Sequence, residues 1–339
     1  MKRFLLFSGL LIAGAPVFSQ QQSTAEMYTT AKNFMRQGDY DNATLVFNRL
    51  LEQDPNNTDA LKDFAYLSFI KRDYSKCIEI SKGLVERPDA DVQSYQILGM
   101  GYKAIAENKE CAKMYKKALL KFPNSGVIYN DYGELFAADK NLPEAIQMWE
   151  AGIKADPNNN SNYYNATMYY ATTGNLFWAL IYGEIFVNIE SYTQRTADIK
   201  AILWDGYKKL YISTNFSKYF TDKKNAFEKT FFETLGKSAV LASEGVTPEN
   251  ICAMRTRFIL DWYTAKNNEK FPFRLFENQQ YLLKEGMFDA YNQWIFGLAN
   301  NPSVYQVWID THDKEAAAFK EFQQGRIFKL TTGQYYGGN

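Results

Sequence analysis

One histidine and three cysteines in 339 residues leave little material for metal or thiol chemistry. The cysteines, Cys77, Cys111 and Cys252, are odd in number, and no Cys-x-x-Cys pair occurs. His312 lies in Asp310-Thr311-His312-Asp313 with no second His or Cys at helical spacing, too few donors for a zinc site. Asp313 opens an expected helix, so the Asp and Thr here read as capping residues. A charge of one sign is also missing. The 38 basic and 38 acidic side chains cancel, which removes any chain-wide electrostatic reason to expect nucleic acid or an anionic membrane surface as ligand. Phosphate-cradling glycine loops and Gly-x-Ser-x-Gly elbows are absent, strand signals are sparse, and the scattered carboxylates read as solvated helix faces. No segment approaches the run of about 18 apolar residues that a transmembrane helix needs. No cofactor is expected, and no enzymatic activity.

The chain does have the means to fold: 46% hydrophobic and 22% charged residues is an ordinary balance for a globular protein. Residues 1–19 read as a secretory signal peptide. Lys2 and Arg3 form its positive end, Phe4 to Ala13 its apolar stretch, and Val17-Phe18-Ser19 precedes an expected cleavage before Gln20. The competing reading, an amphipathic first helix, is disfavoured because helical patterning begins only near Ala25. No cysteine stands at the cleavage point, so the lipoprotein route is not expected. The mature chain is expected in the periplasm or outside the cell. The Gln-rich start after Phe-Ser resembles signal peptides of Bacteroidota.

From about Thr24 to Thr193 one pattern returns five times. A small residue recurs every 34 positions, at Ala43, Cys77, Cys111, Ala145 and Ala179. Turn residues keep the register in Gly38-Asp39-Tyr40, Arg72-Asp73-Tyr74, Lys140-Asn141-Leu142 and Gly174-Asn175-Leu176, and Asp54-Pro55-Asn56-Asn57 reappears as Asp156-Pro157-Asn158-Asn159. A fixed period of this length means stacked units, each unable to bury its apolar face alone. Cys77 and Cys111 fall on the small position and read as small core residues in preference to a disulfide. Ala31, Ala65, Gly99, Gly133 and, weakly, Thr167 supply a small residue in each first helix. Phe34, Tyr102, Phe136 and Tyr170 follow three positions on, with Ser68 departing. Phe47, Tyr115 and Trp149 supply an aromatic in the second helix, where Ser81 and Gly183 depart. Pro55, Pro123 and Pro157 end units, with Pro88 one residue early.

These sizes at these places resemble the tetratricopeptide repeat. The resemblance implies an all-α fold, a right-handed α-solenoid of helix-turn-helix repeats, whose first helices line a concave binding groove. Carried over position by position, that groove comprises Tyr28, Lys32 and Met35, then Lys62, Tyr66 and Phe69. It continues with Gln96, Met100 and Lys103, then Asn130 and Glu134, then Tyr164 and Met168. Tyr, Phe, Met and Lys together suit an extended peptide or a partner's helix. The family's carboxylate clamp does not match, since Tyr28 and Lys32 stand where it wants Lys and Asn. The competing reading is that C-terminal helices fold over these residues and bury them.

After Thr193 the period stops and helical patterning continues through an aromatic-rich region, residues 194–325. Its apolar stripes are Ile199, Ile202, Leu203, Leu210 and Tyr211, then Phe227, Phe231 and Leu235, then Ile251, Met254, Phe258 and Trp262. Thr247-Pro248-Glu249 is a helix start, loops are expected at Ser213 to Lys224 and Lys266 to Pro272, and 272–303 reads as a diverged repeat turning at Gly286. A last helix from Asp313 to Gln324 precedes a flexible tail, 326–339. Trp294, Phe296, Tyr305 and Trp308 could stack on the sugar faces of a glycan or peptidoglycan, although aromatics at helical spacing are more often core. The function expected is a non-enzymatic scaffold of the cell envelope that binds a protein partner. The alternative is a carbohydrate- or nutrient-capture component of the outer surface. Starch-utilisation proteins with such repeats are usually longer and carry a lipid-anchor cysteine.

Overall fold

The computed structural model describes residues 22–212, 225–237 and 246–337. The expected signal peptide and the expected loop from Ser213 to Lys224 lie outside them. Among the described residues there are eighteen α-helices and no strand. No described helix is long and apolar enough to cross a membrane. Consecutive helices pack as helix-turn-helix pairs, the all-α repeat architecture that the 34-residue period predicts. The chain divides into two compact units, Met1–Pro88 and Asp89–Asn339, a boundary that falls inside the repeat array.

The first unit holds two pairs: α1 (Thr24–Gln37) with α2 (Tyr40–Gln53), and α3 (Thr58–Ile70) with α4 (Tyr74–Glu86). Their core is Met27, Ala31, Ala43, Phe47, Leu50, Ala60, Phe64 and Leu67. The second unit opens with three more pairs: α5 (Val92–Ala104) and α6 (Asn108–Lys121), α7 (Gly126–Ala138) and α8 (Leu142–Ala155), α9 (Asn160–Thr173) and α10 (Leu176–Ile189).

The local chemistry repeats with the period. Ser23, Asn57, Asp91, Ser125 and Asn159, spaced 34 apart, are the N-caps of the five first helices, and each side chain accepts from the backbone N–H three residues on. The hairpin turns place Gly38, Arg72, Ala106, Lys140 and Gly174 in the left-handed region, with φ of 76°, 63°, 58°, 60° and 85°. Only two of the five are glycine, so three turns hold an L-residue where its Cβ crowds the backbone.

Packing within each pair depends on size matching. A Cβ on Gly99 would lie 2.1 Å from the Tyr115 hydroxyl, and one on Gly133 would lie 2.4 Å from Trp149 Nε1. In the fifth pair the sizes are exchanged: Gly183 faces Thr167, whose Cγ2 lies 3.2 Å from where a Cβ would sit. Two apparent departures from the repeat pattern are thus one compensated pair. Cys77 and Cys111 are fully buried, each in its own unit, and burial pushes both thiols up to about 11. They act as small core residues.

The second unit continues through α11 (Gln194–Ile212), α12 (Ala226–Gly236), α13 (Pro248–Thr264), α14 (Asn267–Lys270), α15 (Arg274–Lys284), α16 (Phe288–Asn300), α17 (Pro302–Thr311) and α18 (Asp313–Gly325). Thr247 caps α13 by accepting from Asn250 N–H, with Pro248 in its first turn. The stretch expected as a loop at 266–272 contains the single turn of α14. The pair α15 and α16 turns at Gly286, φ 70°. Tyr291, where a repeat would carry a small residue, is fully buried and donates to Glu184 Oε1 at 2.8 Å.

Glu184 and Arg255 form a buried ion pair, 2% and 4% exposed, between α10 and α13. Gln279 Nε2 donates to the same carboxylate at 2.6 Å and the Tyr207 hydroxyl at 3.1 Å, and Arg255 also donates to Asn292 Oδ1. Burial disfavours the Arg255 charge, but the Glu184 carboxylate, with Tyr207 and Tyr291 beside it, more than offsets this, and the rings of Phe288 and Phe296 also face the guanidinium. Five helices meet at this one pair. It is the polar joint of the C-terminal half.

Residues 326–337, expected as a flexible tail, run without helix along the second unit and are fastened at several points. Leu330 exchanges two hydrogen bonds with the Asn158 carboxamide, both 3.0 Å. Gln334 Oε1 accepts from Arg274 N at 3.0 Å, and the Tyr336 hydroxyl donates to Pro272 O at 2.7 Å while its ring stacks on Phe227. Aromatic rings and carboxamides in a glycine-containing segment supply these anchors, which composition alone does not reveal.

Candidate functional site

The first helices carry every groove position expected from the repeat. In the first unit, the Tyr28 hydroxyl and Lys32 Nζ both donate to Asp63 Oδ2, each at 2.7 Å. Burial and the Asp63 carboxylate raise the Tyr28 hydroxyl above its ordinary value. Lys62 pairs with Asp59 at 3.1 Å, the Phe69 ring lies 5.6 Å from that of Tyr74, and Met35 is half-buried. Tyr66 is the most open of the six, 41% exposed.

In the second unit α5, α7, α9 and α11 pack side by side in that order, so their outer surfaces form one continuous face. Polar side chains ladder across it at an offset of 35 residues. Gln96 Nε2 donates to Asp131 Oδ2 at 3.3 Å, and Asn165 Nδ2 donates to Asn130 Oδ1 at 2.9 Å. Tyr28 with Asp63 is the same rung in the first unit. Asn130 Nδ2 donates to Glu134 Oε1 at 3.0 Å, and Lys103 pairs with Glu134 at 3.5 Å. Burial raises the Asp131 carboxyl above its ordinary range, with Lys103 opposing. At the far end Arg195 lies over the Tyr164 ring, 5.0 Å from its centroid, and pairs with Glu190.

The groove residues therefore differ in what they present. Glu134 and Met168 are exposed; Gln96, Met100, Lys103 and Tyr164 are half-buried. Asn130 is buried, its amide engaged between Asn165 and Glu134, so it holds neighbouring helices in register and is closed to a partner. Asp63, Asp131, Asn165 and Arg195 belong to the face and were not anticipated. Each of the first three follows a groove position by one residue, a periodicity that the sequence carries without showing that these side chains meet the neighbouring repeat.

Of the four aromatics considered for sugar stacking, two are core and two, Trp294 and Tyr305, are half-buried. Phe296 is fully buried, Trp308 nearly so, and Lys200 Nζ sits 3.6 Å from the centre of the half-buried Trp294 ring. His312 stacks flat on Trp308, centroids 4.7 Å apart, with Nδ1 3.0 Å from Thr311 Oγ1. No group of three or more His, Cys, Asp or Glu suited to a metal ion occurs among the described residues.

A family model of the tetratricopeptide repeat matches residues 27–57, the first helix pair. No curated protein matches the chain. Similar solved structures include a thermophilic tetratricopeptide repeat protein of Thermus thermophilus, at 16% identity over 53% of this chain and 99% of the other, with a TM-score of 0.45. The type IV pilus biogenesis factor PilW is 18% identical over 63% of this chain and 95% of its own, TM-score 0.45. A tetratricopeptide repeat protein of Parabacteroides merdae is 14% identical over 73% and 93%, TM-score 0.42.

Proposed function

We propose that this protein is a non-enzymatic scaffold of the cell envelope, exported through its N-terminal signal, that holds a peptide or partner helix on the first-helix face. The observation that supports it is the ladder. Hydrogen bonds at a 35-residue offset hold α5, α7 and α9 in fixed register, so the side chains between the rungs are presented without further ordering cost. Those side chains are Met100, Lys103, Glu134, Tyr164 and Met168, a mixture of apolar anchors and paired charges suited to an amphipathic segment. The C-terminal helices α13, α15 and α16 pack on α10, α11 and one another. The glycan reading loses its main support with the burial of Phe296 and Trp308.

The test is capture by the immobilised mature chain from envelope extract, run beside a glycan array. A protein recovered in stoichiometric amount, and lost from a Met100→Ala/Met168→Ala protein that keeps its helical circular dichroism, supports the scaffold. A glycan hit with no such protein sinks it.

A further inference from the structure

A different surface, formed where the chain leaves α18, carries an independent inference. Arg326 enters a cleft of about 190 Å³ bordered by Arg274, Asn278, Tyr281 and Phe322. Arg326 is half-buried and makes no ion pair with a carboxylate among the described residues. Nη1 donates to Asn278 Oδ1 at 3.0 Å and Nη2 to Asn188 Oδ1 at 2.7 Å, both neutral acceptors. A guanidinium carries five N–H donors, so most of its capacity is unspent. Burial, with Arg274 beside it, holds the Arg326 pKa below its ordinary value.

The amides next to it are in the same condition. Asn278 is 2% exposed, and because its Oδ1 accepts from Arg326, the atom left without a partner is the donor Nδ2. Gln323 is 6% exposed; its Oε1 accepts from the Tyr192 hydroxyl at 3.1 Å, and its Nε2 has no partner. Gln323, Arg326 and Lys329 also line an adjoining cleft. Of the nearby acids, Glu277 is engaged with Arg274 at 3.8 Å, and Glu321 lines a separate neighbouring cleft with Phe322 and Arg326. A cation held only by neutral groups, beside two buried N–H₂ groups with nothing to donate to, is a surplus of donors. An oxygen-rich anion has the complementary chemistry, because it supplies acceptors and charge together.

We propose that this cleft is an oxyanion site that takes a carboxylate or a phosphoryl group. Arg326 is the charged contact, the Asn278 amide is the neutral donor in the cleft, the Gln323 amide is a donor on the adjoining cleft that Arg326 also lines, and the stacked Tyr281 and Phe322 rings, 5.5 Å apart, form an apolar wall for the body of the ligand. The site lies on α15, α18 and the segment after it, not on the first-helix face.

The experiment titrates the full mature chain with sodium benzoate and with inorganic phosphate, at ionic strength held constant with sodium chloride, and reads binding by calorimetry. Saturable binding of one anion with Kd of order 1 mM or tighter is expected, weakened at least about tenfold by Arg326→Gln. Preference for benzoate assigns a carboxylate ligand, and preference for phosphate a phosphoryl one. Arg326 also ties Asn188 to Asn278, so Gln323→Leu serves as the milder variant. It should keep the wild-type Tm without anion and bind several-fold more weakly. No saturable binding of either anion, or unchanged affinity in both variants, overturns the proposal.

Discussion

Gly133→Ala is a one-methyl change whose outcome the helix-pair geometry decides. The added Cβ would lie 2.4 Å from Trp149 Nε1, 2.6 Å from Cδ1 and 3.0 Å from Cε2. The indole is 5% exposed and rigid, so the ring or the helix must move. Overpacking of this kind costs about 1–3 kcal/mol, against the ~1 kcal/mol that Ala gains over Gly within a helix. The expected balance is a loss of up to about 2 kcal/mol, or several degrees in Tm at roughly 2–4 °C per kcal/mol for a unit of this size. Trp149→Ala by itself should cost about 3–5 kcal/mol. In that background the obstacle is gone, and Gly133→Ala should become stabilising by ~1 kcal/mol. Chemical denaturation followed by far-UV circular dichroism on all four proteins closes the cycle. A Gly133→Ala effect of the same sign and size in both backgrounds would refute the size-matching argument, and with it the register assigned to the repeats.

Arg255→Met leaves the Glu184 carboxylate buried without its cation; about 3–5 kcal/mol should be lost, read as a lower denaturation midpoint, while Glu184→Gln combined with Arg255→Met should recover part of it. Burial pushes Lys200 down to about 7, so its folded pKa lies below the unfolded one near ~10.4. The charged form is disfavoured in the fold, a penalty complete below about pH 7 that fades as pH rises toward the unfolded value. Lys200→Met should accordingly raise Tm more at pH 6 than at pH 10, which thermal scans at ~pH 6 and ~pH 10 would check. Ala106→Gly relieves a left-handed residue at φ 58° and should stabilise by roughly 0.5–1 kcal/mol after the entropy of the unfolded chain is counted. Equilibrium unfolding of the single variant measures it.

Much of the repeat architecture was legible because its chemistry is periodic. The turn residues from Gly38 to Gly174, the phrase Asp54-Pro55-Asn56-Asn57 repeated at Asp156-Pro157-Asn158-Asn159, and the small and aromatic positions keep the 34-residue register, so each copy corroborates the others. Asp63, Asp131 and Asn165 escaped notice because a polar residue on a helix surface looks the same whether it meets water or the next repeat. Only the hydrogen bonds between successive first helices, α1 with α3 and α5 with α7 and α9, show that it meets a repeat.

What the sequence by itself determined is therefore the local and periodic part: an all-helical chain, its hairpins, its repeat register and the small residues that let helices approach. Those properties depend on residues within one or two turns of each other, or one period apart. Tertiary structure alone decided the rest. Glu184 finds Arg255, Gln279 and Tyr291 across 71 to 107 residues, and Asn158 finds Leu330 across 172. Contacts at such separations leave no spacing to read, because the intervening chain can be of any length. The C-terminal half is joined by them, and so is the donor-rich cleft at Arg326.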